Sequence, residues 1–316
     1  RRVLFRSIQV AMAVKRPVKL TWMREEDLAH DQYRPMALIK AKAGLDANKK
    51  IAAWFYRTVT PSISDQRGFL KAGAVDSQAV ECARNLHYYR TAHLCEWVIL
   101  PAGIPVGYWR SVGASINAFA VERLMDKLAK AAGADPFDFR LNNVSDARAQ
   151  AVLAKAESLS QWRKTLPATR AWGVAMAEAF GTIVCEVVEV SQPALGSLTV
   201  HQVLCVVDCG TVINPDSVQA QMEGSIVHGL SAALWGQVTF TKGVANQTNF
   251  NKYRVLRLNE MPAITVSIIP STNPPSGIGE PGVPPIAPAV ANAYSRLTGA
   301  QYDSLPLFPG ATMSGI

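Results

Sequence analysis

The stretch Ser276-Gly-Ile-Gly-Glu-Pro-Gly-Val-Pro-Pro-Ile-Ala-Pro-Ala-Val-Ala-Asn-Ala-Tyr294 constrains this chain more than any other. Three glycines and four prolines fall within the thirteen residues from Ser276 to Pro288, so the backbone there is pulled in two directions. Gly277, Gly279 and Gly282 permit positive φ and close approach by another group, while Pro281, Pro284 and Pro285 fix φ and remove donors. The uncharged run Ile286–Tyr294, with alanine at 287, 289, 291 and 293, reads as a buried helix behind a stiff loop. Glu280 is the carboxylate on that loop. Held beside a buried helix it is a candidate base; the plainer reading is a charge favoured at the positive end of the helix dipole.

The chain has 316 residues, of which 49% are hydrophobic, enough for two domains of ordinary size with a substantial core. Its net charge of +8 is spread thinly, with no compact Lys/Arg run. That gives nucleic-acid binding no support; it suits a phosphate-bearing cofactor or an acidic partner subunit. The five cysteines are odd in number and include no C-x-x-C pair, so mostly buried, reduced thiols are expected. Cys205 and Cys209 share a face if their run is a strand. The histidines form no H-E-x-x-H arrangement and no iron–sulfur ligand cluster is visible. No apolar run approaches the roughly 20 residues that cross a bilayer, and no secretory signal opens the chain. Arg1-Arg-Val-Leu-Phe-Arg-Ser7 is what a common sequencing-adapter end encodes in frame, so residues 1–7 are expected to be an artefact joined to a gene truncated at its start.

From Ile8 the chain reads as a mixed α and β fold, α+β in class, with sheets that need not be purely parallel. Residues 8–145 form a first unit, 146–169 a solvated helix and connector, and 170–316 a second unit. Met36–Gly44 and Ile51–Thr60 predict a hairpin turning at Asp46-Ala-Asn48. Ile116–Ala132 predicts a helix ending at Gly133, and Asp135-Pro136 opens a short one. In the second unit Trp172–Ala177, Ile183–Val190, Ser197–Asp208 and Ile264–Ile269 have strand character, and Pro215–Leu234 and Pro285–Thr298 helical character.

Three further stretches join a Gly-rich backbone to one polar side chain. Gly107-Tyr-Trp-Arg-Ser-Val-Gly113 precedes the Ile116 helix, where its backbone donors could meet an anion, although it matches neither a P-loop nor G-x-G-x-x-G. In the 215–234 helix Gln221, Ser225 and Gly229 share a face with Gly224 nearby; two helical glycines cost about 1 kcal/mol each relative to alanine, so something should come close. Phe180-Gly-Thr-Ile-Val-Cys185 enters a strand at a glycine followed by a hydroxyl. Taken singly, a packed helix, a surface arginine or an ordinary strand start explains each.

In this order and spacing, Gly107-Tyr-Trp-Arg-Ser-Val-Gly113, Asn214-Pro-x5-Gln221-Met-Glu-Gly224 and Gly277-Ile-Gly-Glu-Pro281 resemble the molybdenum-binding subunit of the xanthine oxidase superfamily. The resemblance runs from Ile8 to about Leu307. His30-Asp-Gln-Tyr-Arg-Pro35, Leu256-Arg-Leu-Asn-Glu-Met-Pro262 and Asn273 to Ala293 are most similar to its branch of isoquinoline 1-oxidoreductase beta-subunits and related aldehyde dehydrogenases.

That resemblance implies a C-terminal molybdopterin-binding region and a molybdopterin cofactor, in its cytosine dinucleotide form, whose dithiolene holds molybdenum without protein ligands. Glu280 matches the family's base, and Gln221 the glutamine that hydrogen-bonds the cofactor beside the metal. Arg110, with Ser111, lies in the matching loop and would act mainly through its backbone. Gly181 and Thr182 match a pterin contact, and Gly224 and Gly279 belong to the cofactor-binding motifs. Val112 and Trp109 would line the substrate pocket. Val112 stands where xanthine oxidase-type relatives carry a stacking Phe, and Ala79–His87 offers no counterpart of their substrate-orienting arginine, so purines are not the expected substrates.

The implied reaction is oxidative hydroxylation of an N-heteroaromatic or an aldehyde. Electrons would pass to a separate small [2Fe-2S] subunit and often on to a c-type cytochrome. A twin-arginine signal on the full-length protein would place it in the periplasm or on the periplasmic face of the membrane; without one it would be cytoplasmic. The rival expectation, from a different class, is an inactive fragment or subunit-assembly module that cannot hold cofactor.

Overall fold

A computed structural model describes residues 2–194 and 197–310. In chain order the elements are α1 (Arg2–Val14), α2 (Arg24–His30), β1 (Leu38–Leu45), β2 (Ile51–Thr60), α3 (Ile63–Gln66), a 3-10 turn (Ser77–Val80), β3 (Ala92–Ile99), α4 (Ala114–Ala132), α5 (Pro136–Asn143), α6 (Ala147–Leu159), β4 (Arg170–Ala179), β5 (Thr182–Ser191), β6 (Thr199–Asp208), α7 (Pro215–Trp235), β7 (Phe240–Thr241), β8 (Val244–Ala245), a second 3-10 turn (Leu258–Glu260), β9 (Ala263–Ile268) and α8 (Ile286–Thr298). Among the described residues no helix is long and apolar enough to cross a membrane.

The sheet that organises the molecule runs β4-β5-β6-β9, antiparallel except for the parallel β6–β9 pair. β4 and β5 are nearly continuous apolar runs because both their faces are covered. Alternation sends Val174, Met176, Ile183, Cys185 and Val187 into one core with α4, α5, α6 and the β1–β2 hairpin. Ala175, Val184, Val188, Val203 and Cys205 enter a second core with α7 and α8. Cys205 and Cys209 do share that second core, and all five cysteines are free thiols. The smaller sheet, β1-β2-β3, pairs the expected hairpin with a parallel third strand.

Residues Ile286–Tyr294 of α8 are all buried, as the alanine-rich run predicts. The helix lies so close to β4 that a Cβ on Gly173 would sit 2.0 Å from the Ala289 carbonyl. Two readings need correction. The 146–169 segment is not merely solvated: Ala149, Val152, Leu153 and Ala156 of α6 are fully buried, a short apolar stripe that the polar composition disguises. Gly277, Gly279 and Gly282 do not adopt positive φ. Gly277 and Gly282 are instead needed for close approach, since a Cβ would meet Phe180 at 2.7 Å in one and Ser225 at 2.8 Å in the other.

One residue of the second core defies its surroundings. Glu186 on β5 is fully buried, neither carboxylate oxygen has a hydrogen-bond partner among the described residues, and burial pushes its pKa well above the usual carboxylate value. A carboxyl group raised in this way supports the fold fully below its unfolded pKa, and that support is lost as pH rises from there through the folded value. Glu186→Leu is therefore expected to stabilise the chain at neutral pH by about 1–3 kcal/mol. Urea midpoints taken across the pH range should show its advantage over wild type growing by up to about 1.4 kcal/mol per pH unit above the unfolded pKa; an advantage independent of pH refutes the assignment.

Candidate functional site

The Gly-rich loop from Asn273 to Glu280 is moored along its length. Thr211 N–H donates to the Asn273 carbonyl at 2.8 Å and Ser276 N–H to Cys209 at 2.9 Å, which tie the loop to the end of β6. Gly277 N–H donates to Phe180 at 3.0 Å, and the Thr182 hydroxyl donates to the Gly277 carbonyl at 2.6 Å and lies 2.6 Å from Ser276 Oγ. The β4–β5 turn that supplies these contacts has Phe180 and Gly181 in the left-handed region, at φ 53° and 78°. Arg148 braces it, bonding the Gly181 carbonyl and Asp208 together. Gly181 and Thr182 thus stand at the base of the loop.

Glu280 stands at the other end, against the turn that precedes α4. Ser111 N–H donates to Glu280 Oε2 at 2.6 Å, and the Ser111 hydroxyl donates to the Glu280 carbonyl at 2.7 Å. Oε1 makes no hydrogen bond among the described residues and the side chain is half-buried, so one oxygen is fixed and the other is open. The turn is strained: Ser111 and Val112 lie at φ 69° and 43°, and a β-branched residue there costs about 1–3 kcal/mol. Such strain persists only where the surroundings over-determine it.

Arg110 contributes its side chain to this arrangement, where the sequence suggests mainly its backbone. Nε donates to the Gly279 carbonyl at 2.8 Å, and the guanidinium donates to Gln221 Oε1, also at 2.8 Å. Burial lowers the Arg110 pKa and nearby Glu280 partly offsets this. Gln221 sits on the exposed face of α7 with its Nε2 unbonded among the described residues. A Cβ on Gly224 would meet only Arg110, at 3.9 Å, and one on Gly279 would meet nothing within 4 Å, so both present open backbone. The close approach expected at the α7 glycines occurs at Gly229, where a Cβ would stand 2.6 Å from Ile286.

Val112 and Trp109 share one wall of a narrow cleft with Arg34, Thr60, Gln78 and Ile116. Trp109 also borders a wider cleft of about 580 Å³ with Gly224, His228 and Tyr253. Its ring is flanked by the Arg34 guanidinium at 4.1 Å and the His228 imidazole at 4.7 Å. Burial lowers the His228 pKa, as do Arg110 and Arg34.

The donors at the start of α4 are not open to an outside anion, which corrects the sequence reading. Gly113 N–H and Ala114 N–H donate to Glu81 Oε2 at 3.1 and 3.2 Å. Nothing in the sequence marks Glu81, Arg148 or His228, each a single polar residue whose partner lies far along the chain; Arg34 belongs to the His30–Pro35 stretch, but its place over the Trp109 ring is made by folding. Among the described residues no three His, Cys, Asp or Glu side chains are placed to hold a metal ion.

The chain matches two models of the molybdopterin cofactor-binding domain, one over residues 5–144 and the other over residues 110–262. It is 31% identical to the isoquinoline 1-oxidoreductase subunit beta of Brevundimonas diminuta, over 95% of this chain and 39% of that protein. It is 28% identical to a membrane-bound aldehyde dehydrogenase of Gluconacetobacter polyoxogenes, over 98% and 44%. The chain thus spans less than half the length of these curated relatives. Its fold is similar to that of quinoline 2-oxidoreductase from Pseudomonas putida 86, with a TM-score of 0.81 at 13% identity, covering 95% of this chain and 64% of that one.

Proposed function

Since the chain belongs to the molybdopterin cofactor-binding family, as a molybdenum-binding subunit of the xanthine oxidase type, we propose that it forms the catalytic half of a hydroxylase site for an N-heteroaromatic or an aldehyde. The observation that carries this reading is the pairing of Glu280 with the Ser111 turn, one carboxylate oxygen held and the other open. The open space beside the Cα of Gly279 and of Gly224 and the free amide of Gln221 fit a polar cofactor lying against them. When bound, the molybdopterin, in our reading its cytosine dinucleotide form, supplies molybdenum as a two-electron acceptor and delivers oxygen derived from water.

Glu280 Oε1, the open oxygen, would accept the proton that this chemistry releases, while Ser111 N–H keeps the carboxylate aimed. Arg110 fixes Gln221 and Gly279 relative to one another, so the face that receives the cofactor is set before binding. Val112 and Trp109 bound the substrate side. We further propose that the electrons leave through a small [2Fe-2S] subunit and on to a c-type cytochrome, and that the full-length protein is exported by a twin-arginine signal.

Coexpression with the small subunit and the cofactor-maturation proteins tests this reading. About one molybdenum and one pterin per purified chain is expected, followed by reduction of an artificial acceptor by one of the two substrate classes. A chain with neither molybdenum nor pterin after that treatment supports the assembly-module reading instead.

A further inference from the structure

Two strained segments face each other across the start of α4. Ser111 and Val112 form one, and Cys82, at φ 63°, belongs to the other. They approach so closely that a Cβ on Gly113 would lie 1.7 Å from the Gln78 carbonyl. The second segment is locked from behind: Asn117 Nδ2 donates to the Ala79 and Glu81 carbonyls at 3.0 and 2.9 Å, and Asn117 Oδ1 accepts from the Tyr56 hydroxyl at 2.9 Å. Cys82 Sγ donates to the Glu178 carbonyl at 2.9 Å. From this fixed platform the Glu81 carboxylate reaches across and takes the N–H groups of Gly113 and Ala114 with one oxygen.

Left-handed backbone at Ser111 and Val112 relaxes unless it is held at both ends. Glu280 holds one end, through Ser111. The other end begins at Gly113, whose N–H belongs to Glu81. We propose that Glu81 is a positioning residue for the reaction described above, clamping the Arg110–Gly113 turn in the shape that brings Ser111 N–H to Glu280. Burial raises the Glu81 pKa, and Asp76 and Glu280 add to this while the two N–H donors oppose it. A carboxylate kept half-buried near two others fits the need for a charge-assisted acceptor at Gly113.

The simpler role, a cap on α4, affects stability alone, so the test reads geometry and turnover separately. In Glu81→Ala, amide hydrogen exchange at Ser111 is expected to speed up at least about tenfold, and kcat of the loaded enzyme to fall about 10- to 100-fold with KM little changed. Glu81→Gln, which keeps an acceptor oxygen, should restore both; Glu81→Met keeps the bulk without the acceptor and replaces alanine if that variant does not fold. Slow Ser111 exchange and kcat within about threefold of wild type in both acceptor-free variants, with only Tm reduced, overturn the proposal. The inference rests on the functional reading only for its turnover arm. The exchange arm needs no cofactor, so a chain that fails to load molybdenum counts against that reading and leaves Ser111 to decide this one.

Discussion

Glu280→Gln in the cofactor-loaded complex is expected to lower kcat by about 10²- to 10⁴-fold, the usual share of a positioned proton acceptor. Molybdenum and pterin content should stay at the wild-type level. Glutamine keeps an oxygen to accept from Ser111 N–H, now 2.6 Å from the carboxylate, so the turn has no reason to move. What it lacks is basicity at the open position. Glu280→Ala should lose at least as much activity and also loosen the turn, because both Ser111 contacts depend on residue 280 being held. Metal content measured beside turnover separates lost chemistry from lost cofactor. A glutamine variant that retains more than about a tenth of wild-type kcat sinks the assignment of Glu280 as base.

The second large effect lies deeper. Arg140 on α5 is fully buried and donates to Glu122 Oε2 at 2.9 Å, the Glu122 carbonyl at 3.1 Å and Asp126 Oδ1 at 2.7 Å. Glu122 also accepts from the Tyr88 hydroxyl at 2.7 Å and Met176 N–H at 3.1 Å. Burial opposes the charge on Arg140, but Glu122 and Asp126 hold its pKa above the ordinary guanidinium value. The cluster locks α4 to α5 and β4, and hence sets where α4 begins. Arg140→Met should cost about 3–5 kcal/mol in urea unfolding, because it strands a buried carboxylate. Adding Glu122→Leu should recover much of the loss, since the damage is the orphaned charge and not the missing bridge. A single variant losing less than about 1.5 kcal/mol means that water or a rearrangement serves Glu122 in place of the arginine.

The elements of the second half were legible because their signals are local. The four-residue repeat in α7 and the uncharged alanine run of α8 state their own burial. β3 carries no such signal: Leu94, Val98 and Ile99 are well exposed along an edge strand, so neither alternation nor a continuous apolar run appears. The buried face of α6 is only four residues, Ala149, Val152, Leu153 and Ala156, set in a polar stretch whose composition reads as solvated. The site was legible only as a set of motifs in order. No periodicity connects Glu280 to Ser111 or Gln221 to Arg110, because those contacts are made by folding. Where the motifs named the residues, they still left their contacts unread: the Arg110 side chain bridges to Gln221, and Glu81 completes the turn without belonging to any motif.

Ser111 and Glu280 are 169 positions apart, and the loop's other moorings lie at residues 180, 182, 209 and 211. At about 5–20 residues per second, synthesis reaches Glu280 some 10–30 s after Ser111. Throughout that interval the turn before α4 has no partner on its far side, and Arg110 has neither Gly279 nor, for most of it, Gln221. A nascent chain that has not reached Glu280 therefore cannot hold the Ser111 turn from that side. The joint shape of loop and turn is thus a late product of folding, set only once the segment that carries Glu280 has packed against the turn before α4.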